Sequence, residues 1–171
     1  MRIFILGFMA SGKTTIGKKL ANKLGMPFID LDKVIEEDQK QTIRSLMYQS
    51  GEENFRQIEK KLLYRIIEQN EHAVISTGGG TPCFYNNMEY MNASGITIYL
   101  EVDISILVSR LMNSKTERPL IWGKTKEDLT HFAKNLMEKR SPFYSMAKHR
   151  ISGKTLSADD LISLINLGSG F

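Results

Sequence analysis

The sequence predicts one α/β domain arranged around an open parallel sheet, and three observations carry that expectation. Strand-length apolar runs alternate with segments of helical, 3.6-residue periodicity. The apolar runs are continuous, as in strands covered on both faces. The first run leads directly into Gly7-Phe8-Met9-Ala10-Ser11-Gly12-Lys13-Thr14-Thr15, which reads G-x-x-x-x-G-K-[ST] and opens a helix. At 171 residues and 42% apolar content, the chain suits a single core over residues 1–171, with no internal repeat and no linker composition.

Arg2 to Leu6 (RIFIL) is the first strand. After the glycine loop, Ile16, Leu20 and Leu24 mark one face of a helix that Gly25 and Pro27 end. Strand, loop and helix together aim backbone N–H groups and a helix dipole at a phosphate. Lys13 adds a point charge for the β/γ-phosphates, and the Thr14 hydroxyl can ligate Mg²⁺. Gly7, Ala10, Ser11, Gly12 and Thr15 complete a loop that predicts ATP or GTP binding.

Pro27 to Asp32 reads as a second strand whose end carries Asp30 and Asp32, where ligands sit in open α/β sheets. Capping of the following helix, Lys33 to Asp38, accounts for at most one of these acids. Thr42 to Gln49 is helical, and Ser50-Gly51-Glu52-Glu53 fits a capping box for a longer helix to Gln69. Phe55, Leu62 and Ile66 mark its buried face. Arg56 and Glu59 lie three apart and are neighbours on the helix surface; position alone does not separate an ion pair from a site.

Ala73 to Thr77 is the third strand, and Gly78, Gly79 and Gly80 follow at once, removing every side chain where a ligand would approach. Gly95 to Val102 is the fourth strand, with Glu101 expected in the turn leading to a helix over Ile104 to Met112. The irregular segment Asn113 to Lys124 holds Arg118-Pro119-Leu120 and the sole tryptophan, Trp122, and reads as a lid over the phosphates. Thr125 starts a long helix with Leu129, Phe132, Leu136 and Phe143 on its apolar face. Arg140 falls on that same face, where a cation needs a partner and an anionic ligand would serve. Arg150 to Ser152 is a last strand. Ser157 caps a final helix that packs Leu161, Leu164 and Ile165 inward.

Composition narrows the function classes. The net charge of +4 is spread along the chain with no run of five basic residues, so no nucleic-acid partner is expected. The single Cys83 cannot form an internal disulfide. Met1 to Ala10 has the look of an export signal, but cleavage there would cut the phosphate loop, and no stretch approaches the ~18 residues of a membrane helix. A cytoplasmic protein without a membrane partner is expected. N-K-x-D and D-x-x-G are absent, which counts against a GTPase switch; a motor-type ATPase would rest on Glu101 alone.

In its ordered set of motifs the chain resembles the shikimate kinases. The phosphate loop, the D-x-D of Asp30 and Asp32, the F-R-x-x-E of Phe55 to Glu59, the triple glycine, the R-P-L of Arg118 to Leu120 and the R-x-x-x-Y of Arg140 and Tyr144 all match in order. The resemblance implies a three-layer α/β/α P-loop kinase fold with a five-stranded parallel sheet. It implies a monomer that transfers the γ-phosphate of ATP to the 3-hydroxyl of shikimate, in aromatic amino acid biosynthesis, with Mg²⁺. Arg56 and Arg140 would hold the shikimate carboxylate, with Glu59 orienting Arg56. Asp32 and the backbone of the triple glycine would bind ring hydroxyls, and Asp32 would take the proton of the attacking one. Residues about 31–70 would form the acceptor-binding region and residues about 113–124 the lid. Thr14 would ligate Mg²⁺ directly and Asp30 through water. Lys13 and Arg118 would neutralise the transferring phosphoryl group, and Arg110 would lie against the adenine. The chain departs from the family at Thr81-Pro82-Cys83, where small apolar residues are commoner. Rival readings are a kinase for another small hydroxy acid, such as gluconate, or for a nucleoside monophosphate.

Overall fold

The structure is a computed structural model that describes residues 1–113, 125–153 and 156–168. The elements run β1 (Arg2–Leu6), α1 (Lys13–Leu24), β2 (Phe28–Asp30), α2 (Leu31–Gln39), α3 (Ile43–Gln69), β3 (Ala73–Ser76) and a short 3₁₀ turn (Thr81–Cys83). They continue as α4 (Asn87–Ser94), β4 (Ile96–Glu101), α5 (Ile104–Met112), α6 (Lys126–Tyr144), β5 (His149–Ser152) and α7 (Ala158–Gly168). Five parallel strands lie in the order β2-β3-β1-β4-β5, so β1 is central and the phosphate loop leaves from the middle of the sheet.

Alternation along β1 builds the three layers. Ile3 and Ile5 face α1 and α7, packing with Leu20, Ala21, Leu161 and Ile165. Phe4 and Leu6 face the other way, against α2, α3 and α4 through Leu31, Ile35, Leu62 and Met88. All four strand residues are fully buried. Because both faces are covered, β1 reads as a continuous apolar run although its side chains alternate. A third cluster joins Phe8 and Val102 to Leu107, Leu129 and Ala133, fastening α5 and α6 over the carboxyl end of the sheet.

Four expectations are corrected. Helix α2 begins at Leu31, so Asp32 lies in its first turn and not on the strand. The Ser50 hydroxyl donates to the Leu46 carbonyl and caps nothing downstream. Instead α3 is capped by Thr42, whose side chain accepts from Ser45 N–H, and breaks at Gly51 (φ 80°, ψ 166°). That positive φ is readily reached only by glycine. Glu101 ends β4 and pairs with Arg150 across the strands, so it belongs to the sheet and not to the turn. On α6 the packed stripe is Leu129, Ala133, Leu136 and Met137, while Phe132 and Phe143 are half-exposed. The element α4, buried through Met88 and Met91, has no counterpart in the sequence reading. The expected capping boxes at Thr125 and Ser157 are present.

Candidate active site

The site forms where the carboxyl ends of β1, β2 and β3 meet. Gly12 precedes α1 in a left-handed conformation (φ 96°), turning the loop so that the helix N-terminus faces it. Lys13 reaches back over the loop, its Nζ donating to the carbonyls of Gly7 and Phe8 at 2.9 Å each. From α5, Arg110 Nη1 donates to the carbonyls of Ala10 and Ser11 at 3.1 and 3.2 Å. Beside this contact a cavity of about 440 Å³ is lined by Gly12, Thr15, Lys19, Leu100, Val102 and Arg110, among others. Its volume lies in the range of small-molecule sites, and its apolar wall with a basic rim suits a purine nucleotide.

The Thr14 hydroxyl donates to Asp30 Oδ2 at 2.8 Å. Asp30 occupies the N-cap position of α2 yet makes no side-chain capping bond there. Capping therefore does not explain this acid. Its contact with Thr14 instead joins two hard oxygen donors beside the phosphate loop. Among the described residues no group of three or more His, Cys, Asp or Glu side chains could hold a metal. The Thr14–Asp30 oxygen pair fits Mg²⁺ instead, which keeps several waters and takes one or two protein oxygens plus phosphates.

Two residues further on, Asp32 is half-buried. Burial raises its carboxyl pKa to about 6; Lys13 opposes the shift, while Asp30, Glu59 and Glu36 add to it. A carboxylate whose pKa is raised toward neutrality, in the first helical turn after a strand end, is a fit general base.

The other half of the site comes from α3, the triple glycine and α6. Arg56 is buried at 6% exposure, and its Nη1 donates to Glu59 Oε2 at 2.7 Å, with Glu59 at 1%. Its Nε and Nη2 reach Glu52 Oε1 at 3.3 and 3.2 Å. The guanidinium stacks over Phe84 at 4.3 Å. This is an organised cation, not a surface pair. The glycines let it approach: a Cβ on Gly80 would stand 2.5 Å from Arg56 Nη2, and one on Gly78 would stand 2.9 Å from Asp32 Oδ1. A Cβ on Gly79 would stand 3.1 Å from Arg140 Nη1. So the triplet brings Asp32, Arg56 and Arg140 against one stretch of bare backbone. The N–H groups of Gly79 and Gly80 donate to no acceptor among the described residues.

Arg140 is half-buried with its guanidinium 5.7 Å from the centre of the Phe8 ring. One turn later Tyr144, fully buried, donates its hydroxyl to the Gly79 carbonyl at 2.5 Å. That bond explains the R-x-x-x-Y spacing, since residues four apart share a helix face. Burial lifts the Cys83 thiol to about 11, so it stays a neutral spectator.

All of the sequence-predicted site residues except Arg118 are brought together here; Arg118 and Trp122, in the segment expected to act as a lid, lie outside the described residues. Sequence reasoning missed Tyr144 as a tether, Phe84 under Arg56, and Thr81. Thr81 was visible only as a departure in the turn, and nothing in the local pattern shows its partner.

Phosphoryl transfer between small molecules asks for a triphosphate cradle and a separately anchored acceptor, and this site offers room for both at the carboxyl end of the sheet. Fold and site define an ATP-dependent P-loop kinase. The shikimate kinase family model matches residues 9–165. A shikimate kinase of Azobacteroides pseudotrichonymphae genomovar. CFP2 is 49% identical over 161 residues, covering 94% of this chain and 95% of the relative. The crystal structure of shikimate kinase from Bacteroides thetaiotaomicron superposes with a TM-score of 0.94 at 42% identity, covering 97% of this chain and 98% of that one. Shikimate kinase from Acinetobacter baumannii, in complex with shikimate, gives 0.88 at 30% identity over 99% and 95%. The chain belongs to the shikimate kinase family.

Proposed function

We propose that this chain phosphorylates the 3-hydroxyl of shikimate with ATP, giving shikimate 3-phosphate for aromatic amino acid biosynthesis. One observation carries the acceptor assignment. The buried, carboxylate-braced Arg56 and the half-buried Arg140 meet the triple glycine beside Asp32, a layout for a compact molecule bearing one carboxylate and several hydroxyls. Guanidinium forks grip a planar carboxylate, and the unengaged backbone donors and Asp32 suit hydroxyls.

On this reading the phosphate loop (Gly7, Ala10, Ser11, Gly12, Lys13, Thr14 and Thr15) holds the ATP phosphates, and Arg110 lies against the adenine in the adjoining cavity. Arg56 and Arg140 fix the shikimate carboxylate; Gly78, Gly79 and Gly80 form the backbone floor. Asp32 accepts the proton of the attacking hydroxyl as its oxygen bonds the γ-phosphorus and the bond to the β-phosphate oxygen breaks, releasing ADP. Lys13, turning from its loop carbonyls, and Arg118, assigned by sequence resemblance, neutralise charge on the transferring group. Mg²⁺ would be held by Thr14, with Asp30 acting through water, and supplies charge neutralisation at the β/γ-phosphates when bound. The chain acts as one domain and a monomer, with residues about 31–70 as the acceptor face and about 113–124 as the lid. ATP use and a free Cys83 suit the cytoplasm. Among the described residues no helix is long and apolar enough to cross a membrane.

The test is an ADP-release assay with shikimate, gluconate, a nucleoside monophosphate or no acceptor. ADP release that depends on shikimate is expected. Equal release without an acceptor, or a preference for another acceptor, would overturn the reading.

Two predictions arise from the acceptor side. Arg56→Lys and Arg140→Lys should each raise the KM for shikimate by about tenfold or more and leave the KM for ATP nearly unchanged, because lysine keeps the charge but loses the fork. Equal changes for both substrates would remove these arginines from the acceptor site. Gly80→Ala should have a similar signature, since its methyl group would displace the Arg56 guanidinium by a fraction of an ångström or more. Steady-state kinetics with wild-type KM values would show that Arg56 is free to move without consequence.

A further inference from the structure

Arg56 owes its orientation to Glu59, and Glu59 in turn has a second buried partner, brought to it from another segment of the chain. Thr81 is fully buried, and its Oγ1 donates to Glu59 Oε1 at 2.6 Å. The other carboxylate oxygen, Oε2, receives Arg56 Nη1. The two oxygens are thus divided, one to each partner, and the carboxylate cannot rotate without breaking a short bond. Thr81 itself is held at its backbone. Its N–H donates to the Gly78 carbonyl at 3.2 Å, and its carbonyl accepts from Asn87 Nδ2 at 2.9 Å. Asn87 is also fully buried, at the start of α4. The chain of contacts runs from α4 through Thr81 to Glu59 and ends on the guanidinium.

We propose that Thr81 is a positioning residue for the acceptor: its hydroxyl fixes the Glu59 carboxylate, and so the Arg56 fork, in the orientation that receives the substrate carboxylate. The inference rests on the shikimate reading and adds a residue to it. It gives a physical use to the point where this chain departs from the small apolar residues commoner in the family. An alanine or valine there would leave Glu59 Oε1 buried without its donor, so the carboxylate would turn to share Arg56 differently. Buried charged groups tolerate few alternative geometries, because each unmade bond costs more than in water. On the outer side, Glu52 holds the Nε and Nη2 edge of the same guanidinium, but its side chain is 57% exposed. Solvent weakens that contact, and it can yield to an arriving carboxylate. The buried side keeps its aim while the outer side exchanges.

The experiment compares Thr81→Val, Thr81→Ser and Thr81→Ala with the wild type. Valine keeps the shape and removes the hydroxyl; serine keeps the hydroxyl and removes the methyl group. Shikimate and ATP KM values, kcat, and shikimate binding by calorimetry without nucleotide are measured for each. Thr81→Val should weaken shikimate binding and raise its KM about tenfold, the equivalent of one hydrogen bond to a charged group. The KM for ATP should stay within about twofold, and Thr81→Ser should restore most of the loss. If Thr81→Val does not fold, the comparison of Thr81→Ala with Thr81→Ser decides, because only serine restores the donor. Unchanged shikimate affinity without the hydroxyl, a serine variant as impaired as alanine, or an equal rise in both KM values would overturn the proposal. A wild type that ignores shikimate would overturn the functional reading instead, so the two failures are distinct.

Discussion

Lys13→Met is expected to lower kcat for phosphoryl transfer by about 10³-fold, with a melting temperature close to that of the wild type. Removal of a single preorganised donor from a charge-stabilising site costs about 10²–10³ in rate, and Lys13 carries a full charge. The fold should survive because the Lys13 ammonium donates to the loop carbonyls of Gly7 and Phe8 and its side chain lies outside the three apolar clusters. Methionine is a strong helix former of similar length, so the first residue of α1 is not disturbed. The discriminating measurements are single-turnover transfer from ATP and thermal unfolding of the same preparation. An enzyme retaining more than a few per cent of wild-type kcat would remove Lys13 from the transition state. A collapse in melting temperature would make it a structural residue.

Asp32→Asn is expected to lower kcat by about 10²-fold or more, the usual range for loss of a positioned general base. A pH profile adds a second, independent reading. Burial holds the Asp32 carboxyl at about 6, above its ordinary value of 3.8, so its protonated form persists to higher pH. The base works only as the carboxylate. With wild-type enzyme, kcat/KM should therefore be level near pH 7 to 8 and fall about tenfold per unit below pH 6. That limb should vanish in Asp32→Asn, leaving a low and flat rate. The same shift has a stability consequence of opposite sense. The folded protein binds the Asp32 proton more tightly than the unfolded chain, so this group favours folding most below pH 4. That contribution is lost as the pH rises through 6. Retention of near-wild-type kcat with only a raised shikimate KM would reduce Asp32 to an anchor for a ring hydroxyl.

Local sequence determined a large part of this protein. The phosphate loop, β1 and α1 follow from the order of Arg2 to Leu24, since strand, glycine turn and helix are each short-range events. The parallel sheet was legible too, because continuous apolar runs separated by helices leave few other arrangements. Asp30, Asp32, Gly78 to Gly80 and Arg140 stood out by type and place, whereas Arg56 was singled out only by the family resemblance. What failed locally did so for identifiable reasons. Ser50 has the spacing of a cap, but its hydroxyl found the Leu46 carbonyl one turn back, a competing bond of equal reach. The helix α4 has only Met88 and Met91 fully buried on its apolar face, too weak a period to read.

Tertiary structure alone decided the chemistry of the charges. Arg56 and Glu59 at a spacing of three could equally be a solvated pair. They become an oriented, buried unit because Gly80 lets Arg56 lie flat against the turn and Thr81, from another segment, donates to Glu59. In the same way Tyr144 reaches Gly79 across 65 residues of chain, and the pKa of Asp32 depends on what covers it. Desolvation and division of hydrogen bonds depend on neighbours brought by folding, and no window of sequence contains them.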